Sequence, residues 1–242
     1  MKRLIIPGLI MFLVILLVTF PARVAYQWFP PPELQLSGIA GSVWNGTAAE
    51  GVAGGAYVRD IAWRFKPASL LAGELGFATS SRPLSGTINT DVTVSPDGTL
   101  TLSALSGSVP LEHLHPVFEQ SGIRGNILLQ FETLVIRNGK PVETVGSATV
   151  TDFFVRDLSS SPIGDFRAEF HTSAGVVTAN VTDVAGVLEV EGLLTLNPDG
   201  SYAFIGQVAP TPETPRSITN QLRFLGSPNR RGQHEFRFEG QL

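Results

Sequence analysis

Hydrophobic residues change their spacing once along this chain, from one continuous run to repeated alternation. Leu4 to Phe20 is almost unbroken apolar sequence, interrupted only by Pro7, Gly8 and Thr19, and it follows the basic pair Lys2-Arg3. At a rise of about 1.5 Å per residue the run nearly crosses a hydrocarbon core of roughly 30 Å, and Ala22, Val24 and Ala25 extend it. The pattern predicts one transmembrane helix from Leu4 to about Ala22. The basic pair stays cytoplasmic, Arg23 snorkels, and Tyr26 and Trp28 form an aromatic belt at the far interface. A cleaved signal peptide has the same start and middle, but no small residues stand at A-x-A spacing after Phe20, so the segment reads as an uncleaved anchor. Pro30-Pro31-Pro32 then predicts a short, stiff spacer. The expected organisation is an anchor over 1–25, an aromatic and Pro-rich spacer over 26–32, and a β-rich domain over 33–242.

Beyond residue 33 apolar and polar positions alternate between turn signals. Ser95-Pro96-Asp97-Gly98 and Asn197-Pro198-Asp199-Gly200 each combine a Pro that presets one turn angle with a Gly that accepts positive φ. Alternating segments bracket both: Val92-Thr93-Val94 and Leu100-Thr101-Leu102 in one case, Leu194-Thr195-Leu196 and Tyr202-Ala203-Phe204 in the other. Asn45-Gly46 and Asn138-Gly139 add two further turn signals. The long run Arg124 to Ile136 puts Ile127, Leu129, Phe131, Thr133 and Val135 on one face of a strand.

Helical spacing returns briefly at Pro110 to Gln120, through Leu111, Leu114 and Phe118, and at Ser217 to Leu225, through Ile218, Leu222 and Leu225. Segments so short are marginal alone and are expected to lie as lids on an apolar sheet face. Pro67 to Ala72 predicts one more helical turn. Each longer segment follows a Pro-Asp-Gly hairpin and precedes an Arg-Gly pair, Arg124-Gly125 or Arg231-Gly232, which suggests two related halves. The fold class expected is therefore mainly β: one N-terminal transmembrane helix, then a curved antiparallel module with two or three short helices.

Composition narrows function mostly by exclusion. With 25 Gly and 17 Pro the chain suits many short strands and tight turns, and with no Cys it offers neither disulfide, zinc-thiolate site nor cysteine nucleophile. The 17 Lys and Arg less the leading pair leave 15 against 21 acidic residues, about −6, which gives no electrostatic footprint for nucleic acid or anionic headgroups. No nucleophile elbow, phosphate-cradling loop, H-E-x-x-H pair or calcium loop is present. His113 and His115, two residues apart, point to different sides of a helix and lack a carboxylate partner, so no metal ligand is assigned. Asp97 and Asp199 are explained by their turns, Trp44 and Trp63 read as core, and Asn45-Gly46-Thr47 and Asn180-Val181-Thr182 are discounted as glycosylation sites. The expectation is no enzyme, and no catalytic, cofactor-binding or metal-binding residue.

In order, the segments are Phe20-Pro21-Ala22, Gly41-Ser42-Val43-Trp44-Asn45-Gly46, Ile61-Ala62-Trp63-Arg64-Phe65, and Pro67-Ala68-Ser69-Leu70-Leu71-Ala72-Gly73-Glu74-Leu75. They resemble the N-terminal half of type II secretion system protein N. Leu105 through Leu111, Gly122 through Gly125, Asn197 through Tyr202, and Asn229-Arg230-Arg231-Gly232 with Phe238 through Leu242 are similar to its C-terminal half. The resemblance implies a single-pass inner-membrane protein of a Gram-negative bacterium. Its N-terminus would be cytoplasmic and its domain periplasmic, and it would contact other subunits of the machine that exports folded periplasmic proteins. It implies no catalytic residues. The pattern is also similar to AsmA-like proteins, which makes a lipid-binding or lipid-transfer module the alternative. A continuous unfilled apolar groove favours lipid, whereas a packed core with an exposed pairing edge favours protein partners.

Overall fold

The computed structural model describes residues 2–28, 34–53, 56–82, 86–113 and 122–241. Helix α1 (Lys2–Val18) is followed by α2 (Ala22–Trp28). A 14-stranded sheet then contains β1 (Leu34–Ser37), β2 (Ala40–Gly41), β3 (Asn45–Ala53), β4 (Ala56–Lys66), β5 (Leu75–Arg82), β6 (Ile88–Val94) and β7 (Leu100–Pro110). It continues through β8 (Ile123–Arg137), β9 (Lys140–Val155), β10 (Gly164–Ser173), β11 (Val176–Gly186), β12 (Leu188–Leu196), β13 (Ser201–Pro210) and β14 (His234–Gln241), with α3 (Arg216–Leu222) before the last strand. Every pairing is antiparallel and almost every strand lies beside its neighbour in sequence. The order runs from β1 and β3 to β14, with β2 attached to β3. The mainly β expectation holds.

Local chemistry explains the turns. Gly98 and Gly200 adopt φ of 82° and 88° in the two Pro-Asp-Gly hairpins, and Asn138 and Gly139 adopt 52° and 75° between β8 and β9, the two positive φ angles that reverse a tight hairpin. Asn45-Gly46 is different: it opens β3, and the reversal from β2 occurs before it, where the Ser42 N–H donates to the Asn45 carbonyl at 2.9 Å. Gly46 is required there by packing. A Cβ on it would lie 2.4 Å from Cζ2 of Trp63, its direct cross-strand partner. Gly206 faces Phe236 in the same way, at 2.6 Å. Aromatic rings thus occupy the space that a side chain would need at glycine on the neighbouring strand.

One face of the sheet is apolar across most of its width. The residues directly opposite one another from β7 to β14 are Leu105, Phe131, Gly146, Phe170, Ala179, Leu194, Phe204 and Phe238. A second row joins Phe77, Val92, Leu102 and Leu134. The other face is largely polar, with Ser106, Gln130, Ser147, Glu169 and Asn180 in register. The alternation expected for β8 holds at Ile127, Leu129 and Phe131 but not at Thr133 and Val135. Two residues of β8 there oppose one of β9, so the apolar side passes to Leu134 and Ile136.

The predicted helical segments are partly present. Pro67–Ala72 forms a 3-10 helix, and Ser217 to Leu225 becomes α3 followed by the 3-10 turn Arg223–Leu225. Of Pro110 to Gln120, Leu111–His113 form a 3-10 turn, and 114–120 fall outside the described residues. Ile218 and Leu222 of α3 are buried with Ile163 and Val208, and Phe153, Phe166, Val190 and Phe236 pack around them. A hairpin, α3 and a strand follow one another from β12–β13 to β14; from β6–β7 to β8 only the turn Leu111–His113 is described between hairpin and strand.

The expected span from Leu4 to about Ala22 is not one helix. α1 has 17 residues, about 25 Å, and among the described residues no helix is long and apolar enough to cross a membrane. The break has a local cause: Pro21 disfavours helical backbone at Phe20 and bridges to Ser42 of the sheet, whereas the Thr19 N–H still makes the helix's own bond to the Ile15 carbonyl. Pro30-Pro31-Pro32 lies outside the described residues.

Candidate functional site

The apolar face is anchored to the helices at its first edge. α2 lies against it with Ala22 buried, and the Tyr26 hydroxyl donates to the Leu34 carbonyl while accepting the Leu36 N–H, both at 3.0 Å. Tyr26 is thus fastened to β1 and does not stand in the belt expected of it. Between α2 and the sheet opens a cavity of about 570 Å³ lined by Ala22, Tyr26, Leu36, Ile61, Trp63 and Phe77, a size typical of small-molecule sites.

Trp44 and Trp63 are half-buried rather than core. The Trp63 indole N–H donates to the Val43 carbonyl at 3.1 Å, and that of Trp44 donates to the Leu17 carbonyl at 2.7 Å. Leu17 belongs to the last turn of α1, where its carbonyl otherwise accepts, among the described residues, only a long bond of 3.4 Å from the Phe20 N–H. The Trp44 ring also meets Phe65 edge-on, with centroids 4.8 Å apart, and Phe65 continues to Phe77 at 5.5 Å. Trp44 therefore joins helix to sheet and Trp63 fastens β4 to the loop before β3, which spacing within one strand could not signal.

Asp97 and Asp199 occupy matching turns. Asp97 accepts the Thr99 N–H at 3.0 Å and its hydroxyl at 2.9 Å, and Asp199 accepts the corresponding groups of Ser201 at 2.8 and 2.7 Å. These bonds, led by the backbone one, hold both carboxyls below the usual carboxylate range. His113 lies in a 3-10 turn and His115 lies outside the described residues. His234, which opens β14, is buried and donates from Nδ1 to the Gly226 carbonyl at 2.8 Å. A lone histidine at the start of an alternating strand carries no sequence signal for that role.

The polar face holds an open groove of about 850 Å³ that gathers Gln130, Glu132, Arg167, Glu169 and His171. Arg167 and Glu169 pair at 3.0 Å but are about half exposed, a setting in which an ion pair contributes little. Among the described residues no group of three or more His, Asp or Glu side chains is placed to hold a metal ion.

Surface is what the fold offers in quantity. The chain exposes 15287 Å², against about 10,500 Å² for a compact monomer of 25.9 kDa. An open antiparallel sheet with one largely apolar face, met by α2 near its first edge and by α3 at one end of its later strands, and with that first edge pinned to a strongly apolar helix, defines a surface-presenting β module. The family model described as type II secretion system (T2SS), protein N, matches residues 32–237, and the chain belongs to that family. It is 27% identical to the type II secretion system protein N of Vibrio cholerae serotype O1, with all of both chains covered. It is 25% identical to that of Aeromonas hydrophila, over 97% of this chain and 96% of the relative. No solved structure matches.

Proposed function

We propose that the chain is a non-enzymatic component of the type II secretion apparatus, held in the inner membrane by α1, that contributes to export by presenting its periplasmic sheet to other subunits. The observation that carries this reading is the open sheet itself. Its long apolar row reaches β14, whose outer edge is unpaired among the described residues, and an unpaired strand is a template for strand addition by a partner. Family membership supports the apparatus.

Support for the anchor comes from α1. Met11 to Val18 are each 47–66% exposed, with no polar side, which suits lipid on every face. A helix of about 25 Å is accommodated by local thinning of the bilayer, and the basic pair Lys2-Arg3 favours a cytoplasmic N-terminus.

A second reading is favoured by the cavity beneath α2, whose apolar lining suits an acyl chain; on it the module binds or transfers lipid. Photo-crosslinking side chains placed at Glu235 and Phe238 of β14 and at Ile61 of the cavity, followed by mass spectrometry of proteins and lipids, separates the two. Secretion subunits captured from β14 support the first reading. Lipid recovered at all three positions, with no protein, would replace it by the second.

A further inference from the structure

We propose that the Pro67–Ala72 turn is a second membrane contact, which inserts Leu70 and Leu71 into the interface of the bilayer that α1 enters. The inference rests on reading α1 as an anchor. Leu71 is 94% exposed and Leu70 54%, although both sit in a firmly built turn. The Ser69 hydroxyl donates to the Lys66 carbonyl and accepts the Gly76 N–H, each at 2.8 Å, and Gly73 closes the 3-10 helix with φ of 74°. Two large apolar side chains held outward with nothing to cover them mark a contact surface.

What covers them follows from position. The turn joins β4 to β5, and the end of β4 is two hydrogen bonds from α1: the Phe65 N–H donates to the Trp44 carbonyl at 2.6 Å, and the Trp44 indole donates to Leu17 at 2.7 Å. The leucines thus lie at the end of the sheet where the apolar helix departs. Four other hairpin turns at that end, Pro96 to Gly98, Asn138-Gly139, Ala174-Gly175 and Pro198 to Gly200, carry no large apolar side chain, and the β2–β3 turn holds its Val43 and Trp44 half-buried against the joint with α1. Phe224, 90% exposed, follows α3 at the opposite end of the strands. Apolar tips beside a membrane helix suit shallow insertion driven by burial.

The chain has no cysteine, so single replacements take an environment-sensitive fluorophore uniquely. Val14→Cys, Leu71→Cys, Gly139→Cys and Phe224→Cys are labelled in the full chain and reconstituted into vesicles of phosphatidylethanolamine and phosphatidylglycerol. Quenching by aqueous iodide is compared with quenching by nitroxide-labelled acyl chains. The labels at positions 14 and 71 are expected to be shielded from iodide and reached by the nitroxide, and those at 139 and 224 to behave oppositely. A shielded label at 14 with one at 71 as accessible as that at 139 overturns this inference alone. An accessible label at 14 overturns the anchor and the second contact together.

Discussion

The indole N–H of Trp44 donates a 2.7 Å hydrogen bond to the carbonyl of Leu17, tying the last turn of α1 to the entry of β3. The neighbouring Val43 N–H donates to the Phe20 carbonyl at 3.0 Å, so the joint has two bonds. Trp44→Phe keeps a ring against Phe65 and removes the donor, at an expected cost of about 1 kcal/mol. Amide hydrogen exchange should quicken at Val43 while β8 and β9 stay protected. Unchanged exchange at Val43 would show that the joint does not depend on the indole.

Placing a methyl group under an aromatic ring should unsettle the sheet locally. Gly46→Ala puts a Cβ 2.4 Å from the Trp63 ring, and the displaced ring is expected to cost roughly 1–3 kcal/mol. The denaturation midpoint should fall with an unchanged slope. Gly139→Ala, which meets nothing nearby but sits at φ of 75°, separates backbone strain from ring displacement.

The α3 lid should hold its end of the apolar face through two side chains. Ile218 and Leu222 are 3% and 7% exposed, so replacing either by Ala should cost roughly 2–4 kcal/mol. Removing both should raise binding of an apolar dye, because Phe166, Val190 and Phe236 lose their cover.

Acid should loosen the two Pro-Asp-Gly hairpins. Both Asp97 and Asp199 are held below the ordinary Asp value, chiefly by backbone N–H donors. A depressed folded value adds stability that is complete above the unfolded value, about 3.9, and is lost as pH falls through the folded one. Carboxyl chemical shifts should therefore titrate below the unfolded value at both positions. Thr99→Val should move Asp97 back towards it and leave Asp199 unaffected.

How much was legible depends on how local each cause is. The turns at Asp97, Asn138 and Asp199 are written in adjacent residues, and the sequence marks them correctly. The same dipeptide misleads at Asn45-Gly46, because the demand on Gly46 comes from Trp63, a strand away. Faces are readable along β8 as far as Phe131 and then invert at an extra residue that no alternation announces. The apolar run of α1 is plain, yet its end near Val18 is set by Pro21, which bridges to the sheet. The candidate site was the least legible part: the linking role of Trp44, the burial of His234 and the outward display of Leu71 all depend on residues distant in sequence.

The meander also dictates an order of assembly. Beyond β3 each strand pairs only with the strand before it and the one after it, so a chain released amino end first can add every new strand to a finished template without waiting for a distant one. Growth is one-dimensional, and the search at each step spans a single hairpin. Shortening the chain from its carboxyl end at a strand boundary should leave a narrower sheet with a new last edge, whereas losing β3 removes the seed to which both α1 and all later strands are fastened.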